Sequence, residues 1–166
     1  DKLKNYLDIM DLQLDKRRNL GIDIKEKVSY LLDKFNEFSN IVKQEMHREL
    51  RPMQMWNSFH IVSMIRSANF SVPGAGKTSI VYGAFAYLNR MDDCQVNKII
   101  MIGPRNSFMS WKDEFKENFG DKKKMNVIDI QNEKYKSRND IIEELRYNSA
   151  NSNLILINYE RLESLS

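Results

Sequence analysis

The amino-acid sequence predicts an α/β fold in which a parallel β-sheet is flanked by helices and preceded by a helical segment. Short apolar runs typical of buried strands alternate with helical patterns through the C-terminal part of the chain, which implies parallel crossover connections. A glycine-rich segment ending in Gly-Lys-Thr stands directly before an apolar helical pattern. Residues 1–49 instead carry apolar residues at helical spacing. At 166 residues, the chain has room for one α/β lobe with a small helical unit.

Residues 1–49 are predicted to form a helical hairpin that extends the N-terminus. The first helix starts near Leu3, and Gly21 is predicted to cap its C-terminus. Asp23, with Glu26 three residues later, resembles a capping box that would open the second helix. The second helix carries one apolar stripe made of Val28, Leu31, Leu32, Phe35, Phe38, Val42 and Met46. Because this stripe is short and irregular, packing within the molecule is favoured over a coiled coil, which stays an alternative.

Residues 50–166 are predicted to form the α/β lobe. Its first helix would start at Pro52, because the missing N–H of proline is harmless in a first helical turn, and would run towards Ile65. Further helices are predicted at 79–88, 107–119 and 135–147, and strands at 69–72, 98–104, 125–130 and 153–158. Since strands and helices alternate, the strands are expected to lie parallel in a layered sheet.

The segment from Ser71 to Thr78 reads Ser-Val-Pro-Gly-Ala-Gly-Lys-Thr, a pattern suited to holding phosphate groups. Gly74, Ala75 and Gly76 leave space for successive backbone N–H groups to converge on phosphate oxygens. A helix that starts at the end of the loop adds its unpaired N–H groups and its positive dipole end. The usual pattern opens with glycine where this chain has Ser71, which is also small. The alternative is an ordinary glycine-proline turn before a helix.

The residues around the end of this loop are predicted to bind ATP and Mg²⁺. Lys77 would reach the β- and γ-phosphates as a point charge, and the Thr78 hydroxyl would ligate Mg²⁺. These two residues carry the catalytic part of the prediction. Pro73 and Ser79, which stand on either side, are included with the loop glycines among the expected cofactor-binding residues.

The composition is that of a globular intracellular protein. Lys and Arg total 26 against 23 Asp and Glu, and the net charge of +3 is too small to establish nucleic-acid binding. With Cys94 as the one cysteine, no internal disulfide can form, and a reducing location is expected, the cytoplasm or alternatively the nucleus. No apolar run approaches the length of a membrane span. His47 and His60 stand away from metal-ligand spacings, so no zinc site is expected.

Four segments, in this order, resemble the first motor lobe of the superfamily-two helicases, and most closely their Swi/Snf-like branch of DNA translocases. The segments are Leu50–Gln54, Ser71–Thr78, Ile102–Pro104 with Trp111–Phe115 downstream, and Ile157–Leu162. The resemblance covers the chain from about Arg48 onward. It implies an incomplete RecA-like lobe from an ATPase that acts on nucleic acid, with DNA favoured over RNA.

The resemblance gives Gln54 and Arg51 roles at the nucleotide. The amide of Gln54 would read the adenine edge with a donor and an acceptor, which distinguishes ATP from GTP. A solvent-exposed glutamine on a helix is the alternative. Arg51 would contact the phosphates or the ribose, or alternatively would pair with a surface carboxylate.

The resemblance also assigns Pro104, Arg105, Asn106 and Ser107 to the nucleic-acid backbone. This loop follows a predicted strand, and open α/β sheets bind ligands at the carboxyl ends of their strands. Arg105 would supply charge, and the Ser107 hydroxyl and the loop N–H groups would bond phosphate oxygens. Alternatively, the loop only starts a helix, with Asn106 or Ser107 as N-cap. Tyr159 has both a nucleic-acid-facing and a structural interpretation.

Other candidate contacts have simpler structural interpretations. Trp111 and Phe115 share an apolar helix face with Phe119, so they are predicted to anchor the core and not to stack on bases. The run Lys122–Lys124 would form a basic DNA-binding patch or, more simply, a solvated turn.

Hydrolysis by this superfamily needs an Asp-Glu pair on a later strand and arginine fingers from a second lobe. The sequence holds no such pair after a strand, since Asp113 and Glu114 fall inside a predicted helix. We therefore expect weak Mg-ATP binding, negligible turnover, and a parent chain that continues past Ser166 into the downstream motor part. An unpaired sheet edge would favour pairing with that part or self-association. The alternatives are a non-helicase P-loop ATPase and a nucleotide-binding interaction module whose helical hairpin recruits a partner.

Overall fold

The computed structural model describes residues 2–64, 66–70, 72, 74–90, 96–131, 135 and 137–165, with side chains between residues 11 and 162 of these. The helices are α1 (Lys2–Glu26), α2 (Leu32–Glu45), α3 (Pro52–Met64), α4 (Lys77–Arg90), α5 (Phe108–Phe119), α6 (Arg138–Asn148) and α7 (Tyr159–Leu165). The strands are β1 (Ile99–Ile102), β2 (Val127–Asp129) and β3 (Leu154–Ile157).

The three strands form one parallel sheet in the order β1-β3-β2. Ile99 of β1 and Val127 of β2 both stand opposite Leu154 of β3, so the three strands start at the same level. Helix α5 connects β1 to β2, and helix α6 connects β2 to β3. The parallel sheet with helical crossovers confirms the predicted α/β fold, and the helical N-terminus is confirmed as well.

The sheet buries a different set of side chains on each face because successive residues of a strand point to opposite sides. Met101, Leu154 and Leu156 belong to the larger core, which they share with the aromatic residues of α4 and α5. Ile155 and Ile157 belong to a second core with Ile128, Ile130, Tyr135 and Ile141. Every residue of β3 is buried, as expected for the central strand of a sheet covered on both faces.

Helices α4 and α5 are joined by an aromatic cluster around Tyr82. The rings of Trp111, Phe115 and Phe119 lie edge-on to the Tyr82 ring, with centroids 5.4 to 5.7 Å away. The Tyr82 hydroxyl donates to the carbonyl of Trp111 at 2.6 Å, and burial, with a smaller effect from Glu114, raises the Tyr82 pKa above its ordinary value. Phe115 and Phe119 are fully buried, so the core role predicted for the apolar face of this helix is confirmed.

The helical extension shares its core with the α/β part. Phe38 and Val42 of α2 are buried in the same cluster as Tyr82, and Phe35 stacks on Trp56 of α3 with ring centroids 3.7 Å apart. Phe35 and Trp56 are half-buried, and aromatic pairs of this kind stabilise packing beyond the area that they bury. Most of the predicted stripe therefore packs within the molecule, but Leu32 is 41% exposed, and Val28 and Leu31 precede α2.

Two predicted helix boundaries near the N-terminus are wrong. Gly21 does not end the first helix, because α1 continues to Glu26. Asp23 makes no capping box in the described structure; its carboxylate instead accepts a short hydrogen bond from the Tyr30 hydroxyl. Ile24 is buried in the main core, so its burial keeps this turn helical in spite of the local glycine signal.

Three further elements differ from the predictions. Over the described residues 69, 70 and 72 no strand forms; Phe70 and Val72 are 93% and 72% exposed, and Ser71 lies outside the described residues. The helix expected at 135–147 begins at Arg138, because Ser137 and Asp140 form a capping box there. Helix α7 is a further element that the sequence patterns do not predict. The strand expected at 69–72 is the one whose absence has a general reason: a strand needs a hydrogen-bonded neighbour, and a sequence pattern alone does not supply one.

The basic run after α5 fastens α2 to the lobe. The Lys122 ammonium donates to the carbonyls of Lys43, Gln44 and Met46, at distances of 3.4, 2.8 and 2.7 Å. These groups end α2, where orphan carbonyls and the negative dipole end favour a cation. The Lys123 ammonium lies over the rings of Phe85 and Phe119. Two of the three lysines thus have a structural role that neither interpretation of the run had included.

Replacing Lys122 by Met should lower the free energy of unfolding by about 1 kcal/mol, because the last carbonyls of α2 lose their cationic donor. Urea unfolding monitored by circular dichroism measures this change. The matched control is Lys124→Met at an exposed neighbouring lysine, which should stay within a few tenths of a kcal/mol of the parent chain. Equal destabilisation by both variants would contradict the capping role.

Candidate functional site

The loop before α4 has the backbone shape that its glycines predict. Gly74 and Gly76 have φ values of 83° and 75°, in the left-handed region that side-chain-bearing residues rarely adopt. The N–H of Ala75 closes a turn on the carbonyl of Val72 at 3.2 Å. A Cβ at Gly76 would lie 2.3 Å from the Gln54 amide nitrogen, whereas one at Gly74 would meet no described atom within 4 Å. Gly74 therefore faces open space.

Helix α4 begins at Lys77, immediately after the loop. The N–H of Ile80 donates to the Gly76 carbonyl at 3.1 Å, so the first helical hydrogen bond closes over Lys77 and Thr78. The N–H groups of a first helical turn have no partner inside the helix and favour an anion. The Lys77 side chain is exposed and that of Thr78 is half-buried. The structure thus brings the loop, the lysine and the hydroxyl together.

Gln54 holds the loop from the side of α3. Its Oε1 accepts the N–H of Arg51 at 3.0 Å, the contact that the third helical residue makes in a capping box. Its Nε2 donates to the carbonyl of Ala75 at 3.0 Å. Both polar atoms of the amide are therefore bound to backbone groups, and Arg51 itself is exposed. The sequence predicts that the donor and the acceptor of the Gln54 amide both have partners. In the structure, those partners are backbone groups of the protein itself.

Two predicted cofactor residues need separate mention. Ser79 is buried, and its hydroxyl donates to the carboxylate of Glu114 at 2.8 Å, so its side chain points into the protein. Only the backbone of Ser79 is then suited to face a ligand. Pro73 lies outside the described residues, as does Ser71 at the start of the motif.

Glu114 is a residue whose place sequence reasoning missed. One of its oxygens, Oε2, accepts from Ser79, from the Asn118 amide at 3.1 Å, and faces an Arg48 nitrogen at 3.5 Å. Asn118 is fully buried, and its amide also donates to the Glu114 carbonyl at 2.7 Å. The sequence signal was the Asp113-Glu114 pair, which was considered only as a metal-binding pair and rejected because it falls in a helix.

A second group of polar residues gathers at the carboxyl ends of the strands. Arg105 follows β1, Gln131 follows β2, and Asn158 follows β3. Together with Glu160 and Arg161 they line an open cavity of about 470 Å³. The carboxyl ends of parallel strands are where open α/β sheets bind ligands.

Partly buried and buried polar contacts hold two of the residues that line this cavity, Gln131 and Asn158. Lys112 of α5 pairs with Asp129 at 2.8 Å, and the other oxygen of Asp129 accepts the N–H of Gln131 at 3.0 Å. Asn158 is buried and donates a short hydrogen bond to Glu160. Within the described part of the chain, the Asn158 carbonyl oxygen Oδ1 has no hydrogen-bond partner. Asp129 and Asn158 stand at the ends of two strands in the sequence, and which side chains they contact depends on strand register.

The predicted nucleic-acid loop lies beside this cavity. Pro104, Arg105 and Asn106 are exposed, and the chain from 105 to 107 forms a single turn of 3-10 helix before α5. The hydroxyl of Ser107 donates backwards to the carbonyl of Pro104 at 2.6 Å, although Ser107 stands at the N-cap position of α5. Tyr159 is also exposed, directly after Asn158. Of this set, Arg105 lines the cavity.

The remaining sequence candidates do not form sites. Among the residues that the structure describes, no group of three His, Cys, Asp or Glu side chains is placed to hold a metal ion. Burial lowers the pKa of His60, which favours its neutral form. Cys94 lies outside the described residues. No helix in the described part of the chain is long and apolar enough to cross a membrane.

Comparison with known families identifies the region that contains the phosphate loop and the residues at the strand ends; Arg51 and Gln54 precede this region. The model of a family described as "Type III restriction enzyme, res subunit" matches residues 68–166, which is more than half of the chain. No curated protein matches the chain. The match begins just before the phosphate loop and extends through both crossovers of the sheet. The chain therefore belongs to the type III restriction enzyme res subunit family, and the matched part is a superfamily-two helicase-like domain with the fold of an incomplete RecA-like lobe.

Proposed function

We propose that this chain is the ATP-binding front of the first motor lobe in a nucleic-acid-dependent ATPase, a translocase of the Swi/Snf-like type. The observation that carries the proposal is the loop with two glycines at positive φ that opens α4 at Lys77. The same loop lies within the part of the chain that belongs to a helicase-like family. Family membership favours this function over a kinase or a non-helicase ATPase with the same loop.

The residues present suit Mg-ATP. The open space at Gly74 leaves room for a phosphate group against the backbone, and the first turn of α4 presents its N–H groups there. Lys77 would hold the β- and γ-phosphates, and Thr78 would hold Mg²⁺ through its hydroxyl. When bound, Mg²⁺ offsets the charge of the phosphates. The role of the protein's own residues is to bind and orient the triphosphate.

Gln54 supports the nucleotide site by fixing the loop. Its amide joins the first turn of α3 to the Ala75 carbonyl, so the loop cannot change shape without breaking this bond. Arg51 is exposed directly before α3, and it would contact phosphate or ribose. Direct reading of adenine by Gln54 would use the second lone pair of Oε1 and the second hydrogen of Nε2, which these backbone bonds leave over.

The cavity at the strand ends is the proposed nucleic-acid contact. Arg105 and Arg161 bring positive charge to its wall, and guanidinium groups bind phosphate in a forked geometry. Pro104, Asn106 and Tyr159 would widen the contact on the exposed surface beside Arg105. The resemblance to DNA translocases favours DNA over RNA as the track.

The sheet has an apolar side that other parts of the parent protein would cover. Ile100 and Ile102 of β1 are 57% and 45% exposed, although their neighbours Ile155 and Ile157 on β3 are buried. Among the described strands, β1 pairs with β3 alone and leaves its other edge open. Open edges and apolar faces favour association, so we propose that the downstream motor part, or a second copy, packs here. Turnover by the isolated chain would then be negligible.

Replacing Lys77 by Ala should weaken Mg-ATP binding at least tenfold, because the phosphates lose their one positive side chain in the loop. Fluorescence titration with a methylanthraniloyl-labelled ATP analogue and Mg²⁺ measures the dissociation constant. The control Lys116→Ala, at an exposed lysine of α5, should bind like the parent chain. Equal affinities of all three proteins would contradict the phosphate-loop assignment.

Replacing Gln54 by Ala should weaken ATP and GTP binding by similar factors, because the amide stabilises the loop and both nucleotides use the same phosphates. Competition of each nucleotide against the labelled analogue gives the two affinities. A selective loss of ATP affinity, with GTP unchanged, would contradict the loop-fixing role and favour direct reading of adenine.

Replacing Arg105 by Ala should weaken binding of a 20-base-pair DNA duplex several-fold and reduce the slope of log affinity against log salt by about one. Fluorescence anisotropy at several salt concentrations measures both quantities. Arg146→Ala, at an exposed arginine of α6, removes the same charge away from the cavity and should leave the slope nearly unchanged. An equal effect of both substitutions would indicate non-specific attraction and contradict the proposed contact.

A further inference from the structure

Glu114 connects the two proposed binding sites, and nothing in the sequence or the family match assigns it a role. Its carboxylate accepts the hydroxyl of Ser79, which directly follows Lys77 and Thr78 in the first turns of α4. Its own helix, α5, begins where the nucleic-acid loop ends. We infer that Glu114 is a positioning residue that couples nucleic-acid contact at residues 104–107 to the geometry of the phosphate loop. This inference rests on the proposed function of both sites.

The contact is made by the carboxylate and not by packing alone. Oε2 of Glu114 accepts from Ser79 at 2.8 Å and from the buried amide of Asn118 at 3.1 Å. The Asn118 amide also lies 3.3 Å from the Ser79 hydroxyl, so the three polar groups close a small network between α4 and α5. Networks of this kind, in partly buried surroundings, fix one relative position of the elements that carry them.

The first half of α5 is attached to the nucleic-acid side. Lys112 pairs with Asp129 at 2.8 Å, and Asp129 in turn holds the N–H of Gln131, which lines the cavity at the strand ends. At the start of the helix, Ser107 is tied to Pro104. A shift of the 104–107 loop on binding nucleic acid would therefore be carried by α5 as one rigid element.

The other half of α5 is attached to α4 and to the start of the lobe. The carbonyl of Asn118 accepts the N–H groups of His47 and Arg48, at 2.7 and 3.2 Å, and these residues lie just before α3. Helix α3 carries Gln54, which holds the phosphate loop from the opposite side. Movement of α5 would thus reach the loop by two routes, of which the bond from Glu114 to Ser79 is the shorter.

An ordinary ion pair does not account for Glu114. The Arg48 nitrogen lies 3.5 Å from Oε2, and the Arg48 side chain is 46% exposed, so this pair is screened by solvent. Arg48 has a closer partner in the exposed Glu117, at 3.1 Å. The short contacts of Glu114 are those with Ser79 and Asn118. Glu117, three residues along the same helix with the same arginine partner, is consequently a matched control.

The test is the thermodynamic coupling between the two ligands in the 166-residue chain. The affinity for the methylanthraniloyl-labelled, non-hydrolysable ATP analogue AMP-PNP with Mg²⁺ is measured without DNA and with a saturating 20-base-pair duplex. In the parent chain, the affinities with and without the duplex should differ by at least fivefold, and in Glu114→Ala, which removes the acceptor of the Ser79 hydroxyl, they should agree within twofold. Glu117→Ala should keep the parent ratio, and Ser79→Ala should behave like Glu114→Ala because it breaks the same bond from its other end.

The ratio of affinities distinguishes a positioning role of Glu114 from a purely structural one. Loss of a purely structural contact would lower the stability of the chain and leave the ratio unchanged. Thermal unfolding followed by circular dichroism shows whether each variant is folded, and Ser79→Ala keeps the test open if Glu114→Ala unfolds. A parent ratio near unity, or an unchanged ratio in both variants, would overturn the inference while leaving both binding sites intact. Failure of the parent chain to bind the analogue or the duplex would overturn the proposed function itself, and the inference with it.

Discussion

Helix α4 has no room for a side chain at Gly83, and this close contact fixes the position of the elements around it. A Cβ at Gly83 would lie 2.6 Å from the Leu50 side chain and from the Ser58 hydroxyl. The same hydroxyl is placed within hydrogen-bond distance of the carbonyls of Gln54 and Ile80, at 2.9 and 2.8 Å. Helix α3 consequently approaches α4 closely enough for Gln54 to reach the phosphate loop. On its other side, α4 meets α5 through Tyr82 and Ser79.

This arrangement explains how one helix serves both proposed sites. The N-terminus of α4 would face the triphosphate, its middle holds α3, and its contact with Glu114 holds the helix that follows the proposed nucleic-acid loop. The helical extension is part of the same unit, since α2 contributes Phe38 and Val42 to the core beneath α4. Lys122 attaches α2 to this unit by donating to the carbonyls at the end of the helix.

Much of the fold could be predicted from the sequence because its signals are local. The apolar run 154–157 is buried on both faces and reads as a central strand, and Pro52 starts α3 as proline in a first turn should. Gly21 failed as a helix end because burial of Ile24 is a tertiary effect that outweighs a local cap. Over the described residues 69, 70 and 72 the expected strand is absent for a related reason, since strand pairing depends on a neighbour that lies elsewhere in the chain.

The site was predictable to the extent that its chemistry is contained in one segment. The glycines at 74 and 76, Lys77 and Thr78 stand together in the sequence, and the structure keeps them together. Gln54 was recognised as chemically important, but its partners could not be read from the sequence because they depend on how closely α3 approaches the loop. The cavity lined by Gln131 and Asn158 depends on strand register in the same way.

The central claim, that the loop before α4 binds Mg-ATP, is tested most directly by a nitrogen-15 NMR titration of the chain. The amide signals of residues 74–78 should show the largest shifts on addition of Mg-ATP, because their N–H groups would bond the phosphate oxygens. Inorganic pyrophosphate with Mg²⁺ should move the same signals. Unchanged signals for residues 74–78, with shifts confined to other parts of the chain, would contradict the account.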